Sequence, residues 1–276
     1  MPLASCSERS SGFTLSLAGA SYQGAFRERA SPIPICWASP PAPASGATVA
    51  IVIRHDGGST LVLPVAAFLG ASAAVTLTYL VGGVARRASA TRLVLAGVAI
   101  ASFFTAAQTY LQQQNAEVLR EVYSWILGRL GTSQWSDVRT VLPYVVVSST
   151  VLLLNRRTLD VLGVGDEEAA TLGVNVARSR LVIVAAASLG TAAVVSVSGL
   201  IGFVGIIVPH TVRLVVGGSY QRILPLSMVL GAAFLVLMDL LARTVQQPAE
   251  VPIGVITAFV GAPFFLLVLR NRERSA

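Results

Sequence analysis

The sequence predicts an all-α, polytopic transmembrane bundle, and three observations carry that reading. Hydrophobic residues make up 54% of the chain and charged residues only 12%, about half the charge share of an ordinary soluble domain. Apolar runs long enough to cross a hydrocarbon core recur, among them Thr60–Ala85, Leu181–Val208 and Val251–Leu269. The arginines gather on alternate connections between those runs, as the positive-inside rule requires of a multi-pass chain.

Taken in order, a first span is expected near 12–26. Others follow at 61–84, 93–113, 140–155, 180–198, 200–216, 223–242 and 252–270. If 30–53 also crosses, and Arg270, Arg272 and Arg274 lie in the cytoplasm, the sides of all connections follow by counting back. Arg27, Arg29, Arg86, Arg87, Arg92, Arg156, Arg157, Arg178, Arg180, Arg213 and Arg222 then fall inside. Arg54, Arg120, Arg129, Arg139 and Arg243 fall outside, with Arg9 undecided. The net charge of +7 is therefore a signature of topology, and no nucleic-acid partner is expected. The chain is expected to form a single transmembrane domain over 1–276.

Two connections carry more than a turn. Gln112–Asp137, with Glu117, Arg120, Glu121, Tyr123, Trp125 and Trp135, reads as an external segment holding a short amphipathic helix, its aromatic residues at the membrane interface. On the cytoplasmic side, residues 156–180 hold a second short helix. Asp166, Glu167 and Glu168 follow Gly165 at its start, where acids complement the helix dipole, and Gly173 is placed to end it. The residues alone leave open whether this is a solvated loop or a docking element.

All 20 Lys-or-Arg positions are Arg. A phosphate-binding Walker loop requires its Lys, as does Schiff-base chemistry, so the chain carries neither. With two His and two Cys, no His/Cys metal cage is expected. No catalytic constellation is evident within the spans, and the chain is not expected to be an enzyme.

Within the spans, Asp239 lies one helical turn before Arg243, where the two share a face. An intramembrane carboxylate marks either function or a structural partner, and an interfacial Arg also snorkels to headgroups. Pro209–His210 is expected to end a Gly-rich span, its imidazole bonding a neighbouring backbone group. Gly199, Gly202 and Gly205, spaced by three, are expected to let helices approach closely. Pro252, Gly254, Gly261 and Pro263 shape the last span, and Glu250 precedes it. These residues are candidates for helix packing or for the lining of a path.

From about residue 60 onward the chain resembles the FecCD-type permeases, membrane subunits of ATP-driven importers for iron–siderophore complexes, haem and vitamin B12. The resemblance rests on SGLIGFVGIIVPHTVRL (198–214), ILPLSMVLGAAFLVLMDLLART (223–244) and EVPIGVITAFVGAPFFLLVLR (250–270). LGVGDEEAATLGVNV (162–176), RLVLAGVAIASFF (92–104) and WILGRLGTSQWSDV (125–138) agree in order and spacing. It implies a bundle of the type II importer kind, with about eight or nine of the family's ten spans present, in a bacterial plasma membrane with the C-terminus cytoplasmic. It implies as partners a second permease copy or close paralogue, two cytoplasmic ATPase subunits and an extracytoplasmic substrate-binding protein. ATP and Mg would bind the ATPase, and no cofactor this chain. The acidic loop helix would dock on the ATPase through Gly165, Asp166, Glu167, Glu168 and Gly173, and Arg243 would meet a Glu of the binding protein. An iron(III)–siderophore is the expected cargo, with haem and cobalamin behind it. An ion-coupled secondary transporter and an inactive, truncated permease are the alternatives.

One stretch departs from the family's pattern. Residues 28–46 include SPIPICWASPPAPAS (31–45), where the family has a Gly-rich span entry. Read one base out of frame, the codons of Ser31–Ser45 permit ADPYLLGVASGAGL. Cys36–Trp37 must then give Leu, and Trp37–Ala38 must give Gly. The reading predicts compensating frameshifts near Arg29–Ala30 and Ser45–Gly46, with residues 1–11 sharing the fault and the family's first span absent. A genuine Pro-rich external loop is the alternative.

Overall fold

The computed structural model describes residues 2–25, 41–55, 62–82, 90–128, 135–246 and 250–273. Among these there is no strand; helices carry almost all of them. In chain order they are α1 (Pro2–Ala25), α2 (Pro41–His55), α3 (Val62–Gly82) and α4 (Ala90–Gln114). A 3₁₀ turn (Ala116–Val118) leads into α5 (Leu119–Ile126), then α6 (Trp135–Leu154), α7 (Arg156–Leu162) and α8 (Asp166–Thr171). Three long apolar or mixed helices and one short one complete the bundle: α9 (Val176–Ser198), α10 (Val204–Val216), α11 (Tyr220–Thr244) and α12 (Ile253–Glu273).

The expected spans coincide with helices, and α6, α9 and α11 are each long and apolar enough to cross a membrane. Of the 28–46 stretch expected to be out of frame, 28–40 lies outside the described residues, and 41–46 forms the opening of α2. Proline at 143, 209, 225 and 263 sits inside helices, where neighbouring helices in a membrane protein compensate the lost donor.

α1 is the central element, packing on α11, α9, α10, α6 and α7. Lipid tails give apolar side chains no reason to prefer each other, so membrane helices associate through close backbone packing. α1 is built for that. A Cβ at Gly12 would lie 2.2 Å from the Gly231 carbonyl oxygen of α11, and one at Gly19 would lie 2.0 Å from the Gly205 carbonyl oxygen of α10. Ser16 completes the first crossing, within 2.4 Å of where a Gly231 Cβ would stand. Tyr22, further along the same helix, bonds Ser188 of α9 at 2.6 Å.

The α9–α10 connection differs from expectation. The helix starts at Val204, not at 200, because Gly199 (φ 71°) and Phe203 (φ 66°) both leave the right-handed region. A left-handed Phe is uncommon; here its ring packs on α12, where a Gly261 Cβ would fall 2.2 Å from the Phe203 Cγ. Three-residue spacing therefore does not put Gly199, Gly202 and Gly205 on one helical face. Gly205 makes the crossing with α1, Gly199 turns the chain and lets it close on the Trp125 carbonyl of α5, and a Cβ at Gly202 would meet nothing within 4 Å. Pro209–His210 is corrected likewise: it lies mid-helix in α10, which runs on to Val216. With 13 residues, α10 is about 20 Å long, shorter than the roughly 30 Å hydrocarbon core.

Gly19→Val should lower the melting temperature of the detergent-purified chain by roughly 5 °C or more, since overpacking costs about 1–3 kcal/mol. Gly202→Ala should leave it unchanged. Equal melting of the two variants would refute backbone contact as the source of the packing.

Candidate functional site

Two clusters of polar contacts sit at opposite ends of the bundle. At one end the 155–175 segment meets the C-terminus of α1 and the N-termini of α9 and α11. α8 is a single turn with Gly165 before it at φ 149° and all three acids in its first turn. Its C-terminus closes as a Schellman motif: Gly173 N–H donates to the Ala170 carbonyl at 3.0 Å and Val174 N–H to the Ala169 carbonyl at 3.1 Å. Gly173, at φ 81°, supplies the left-handed residue this motif needs. Ala169 is fully buried beneath α8, while Leu172 and Val164 stand out at 67% and 64% exposure.

The acids of this segment divide into two pairs. Glu167 and Glu168 are exposed. Asp166 turns inward and takes a two-pronged bond from Arg180 of α9, with Nη1 at 2.8 Å and Nη2 at 2.6 Å. The same guanidinium donates through Nε to the Ala25 carbonyl, the last of α1, at 2.8 Å. Asp160 also turns inward. It accepts from the Tyr220 backbone N–H at 2.5 Å and from the Ser219 hydroxyl at 3.0 Å, and so caps α11 from another element. Tyr220 is fully buried, and its hydroxyl accepts from Arg213 at 2.7 Å.

Electrostatics explains the Arg180 arrangement. Arg178 and Arg180 lie near the N-terminus of α9, which has no acid in its first turn and whose dipole disfavours cations. Asp166 supplies the missing anion, and the Ala25 carbonyl sits at the negative end of α1. Arg180 is 8% exposed as a side chain and Asp166 30%; removing one partner of such a pair costs about 3 kcal/mol, the low end for buried ion pairs.

The opposite end gathers several of the other candidates. Arg243 Nε bonds Asp239 at 2.5 Å across one turn of α11, so the two share a structural pairing. Val251 N–H donates to the Ala242 carbonyl at 3.0 Å, and Gly254 N–H to the Leu127 carbonyl at 3.0 Å. A Cβ at Gly199 would lie 2.2 Å from the Trp125 carbonyl oxygen, so the α9 and α12 ends close on the end of α5. The helix expected in the external segment is α5, with Val122 and Trp125 buried. Glu250 and Pro263 are exposed, Pro209 is buried, and Pro252 is half-buried. His210 meets the edge of Phe264 with ring centres 6.0 Å apart. Arg156, Arg157, Arg178, Arg180, Arg213 and Arg222 lie at or near the first end, Arg120, Arg139 and Arg243 at or near the second. That is the partition expected from sequence.

Sequence reasoning did not single out Arg180, Asp160 or Tyr220. Two arginines opening a helix without an acid nearby were the available signal.

The profile of the FecCD transport family matches residues 9–271. The cobalamin import system permease protein BtuC of Halobacterium salinarum is 42% identical over 264 residues, 95% of this chain and 70% of that protein. The Fe(3+) dicitrate transport system permease protein FecD of Escherichia coli is 35% identical over 94% of this chain and 80% of its own length. Among solved structures, one described as an inward-facing conformation of an ABC transporter of the metal-chelate type superposes with a TM-score of 0.87. It is 30% identical and covers 98% of this chain and 85% of its own.

Asp160→Ala should lower stability by about 1 kcal/mol, as loss of a helix cap does, and speed hydrogen exchange at the Tyr220 amide. Asp160→Asn, which keeps an acceptor oxygen, should lose less than half of that. Unchanged exchange in Asp160→Ala would show that the carboxylate is no cap.

Proposed function

The chain belongs to the FecCD transport family, and from that premise we propose that it is the membrane-spanning subunit of an ATP-binding cassette importer that moves an iron(III) chelate, haem or cobalamin inward. The family match over nearly the whole chain carries this reading. Its relatives are permease subunits of importers for cobalamin and iron citrate. An iron(III)–siderophore is the cargo proposed first, with haem and cobalamin as the arms of the test. ATP hydrolysis falls to a separate cytoplasmic subunit, consistent with a chain that has no Lys for a phosphate loop.

The exposed face of α8 is proposed as the contact with that subunit. Glu167, Glu168 and Leu172 present charge around an apolar residue, held by the Schellman turn at Gly173 and by the buried Ala169. Gly165 opens the turn that carries this face, and Asp166 ties it to α9. At the other end Arg243, oriented by Asp239, is proposed to meet a carboxylate of an extracytoplasmic binding protein. With two permease copies enclosing the path, cargo arrives already bound, so the pore needs no tight site. ATP binding then biases a two-state bundle through differential contacts. The engagement of Asp239 by Arg243 favours this over ion-coupled transport, which calls for an acid that binds and releases its ion.

Proteoliposomes holding this chain with its ATPase and binding protein should take up one of the three cargo classes only when ATP is supplied on the ATPase side. Uptake driven by an ion gradient without ATP would overturn the reading. Glu167→Arg combined with Glu168→Arg should weaken ATPase association at least tenfold in pull-down titration while lowering the melting temperature by only about 2–4 °C, because both side chains are exposed and lose only their dipole contacts.

A further inference from the structure

The geometry points to Arg180 as a positioning residue that makes the 156–175 segment, α1 and α11 move as one body. This inference rests on the transport reading above. One planar guanidinium joins three elements: its stem is on α9, its Nη1 and Nη2 hold Asp166 of α8, and its Nε holds the Ala25 carbonyl of α1. Lysine cannot reproduce that, because an ammonium has no fixed fork. The same loop grips a second helix through Asp160, whose carboxylate receives the first amide of α11. α1 and α11 end side by side here, one by its C-terminus and the other by its N-terminus.

These two helices have little freedom to slide past each other. Gly12 and Gly231 put their backbones in contact, with Ser16 filling the same crossing. Gly19 likewise locks α1 to α10. A displacement of the exposed Glu167–Glu168 face is therefore delivered to the central helix through Arg180 and to α11 through Asp160. The packed glycine crossings then pass it through the bundle. Without Arg180, α8 would remain attached by its flanking turns and still present its acids, but its movement would no longer be tied to α1.

Arg180→Lys and Arg180→Gln, assembled with the ATPase and binding protein, should hydrolyse ATP within twofold of the parent rate while importing at least tenfold less cargo per ATP. Swapping the pair, Asp166→Arg with Arg180→Asp, should recover part of the thermal stability that Arg180→Gln loses but not transport, since Asp at 180 has no donor for the Ala25 carbonyl. Proportional loss of hydrolysis and transport in Arg180→Lys, or full transport in the swapped pair, would reduce Arg180 to structural glue. A second measurement does not depend on those variants folding. Spin labels at Arg9→Cys and Thr171→Cys, with Cys6 and Cys36 replaced by Ser, should keep one separation with and without ATP. A change of more than a few Å, about the pitch of one helical turn, would refute a single body. If the unaltered complex imports nothing on ATP, the transport reading itself fails, whatever the labels report.

Discussion

Backbone-to-backbone contact along α1 is the constraint on which this bundle depends. Where solvent gives apolar side chains no incentive to leave it, helices adhere by approaching until their main chains touch. Gly12 and Gly19 are spaced two turns apart on one face, and each meets a glycine on a different partner helix. Those two crossings fix α10 and α11 against the central helix, while α2, α3 and α4 pack on one another and, through α2 and α3, on α9. α9 adds its Tyr22–Ser188 bond to the same helix, and the polar clusters at both ends form only because the helix ends arrive in register.

Much of this was readable from sequence for a simple reason. A span is a long signal: hydropathy averaged over twenty residues survives local noise, and α3, α4, α6, α9, α11 and α12 fall where the apolar runs predict. The alternation of arginines was legible because it sums over many residues. What escaped depends on single backbone angles or on direction. The start of α10 was missed because a Phe in the left-handed region leaves no trace in composition, and the glycines around it then looked helical. Pro209–His210 reads as a terminus for the same reason.

The acidic loop shows a subtler limit. Three acids in the first turn of a six-residue helix satisfy the dipole whichever way they face, so sequence grouped Asp166 with Glu167 and Glu168. Only the partner decides direction, and the partner is an arginine fourteen residues on, counted in the sequence as one more topological charge. Asp160 likewise looked like an ordinary loop acid, because its ligand is a backbone amide sixty residues away that no side-chain pattern encodes. Charge sums disclose topology; they do not disclose which charges have been taken out of circulation by a neighbour.

The division of the loop's acids also makes it separable into parts. The inward carboxylates answer only to this chain's own helices, and the outward ones only to whatever lies beyond its surface. Residues on the outer face are thus free to drift with a changing neighbour while the inner face stays fixed by the fold. If that outer face is the proposed ATPase contact, a permease so arranged can change allegiance from one motor to another by altering a handful of surface positions, and keep its own machinery untouched.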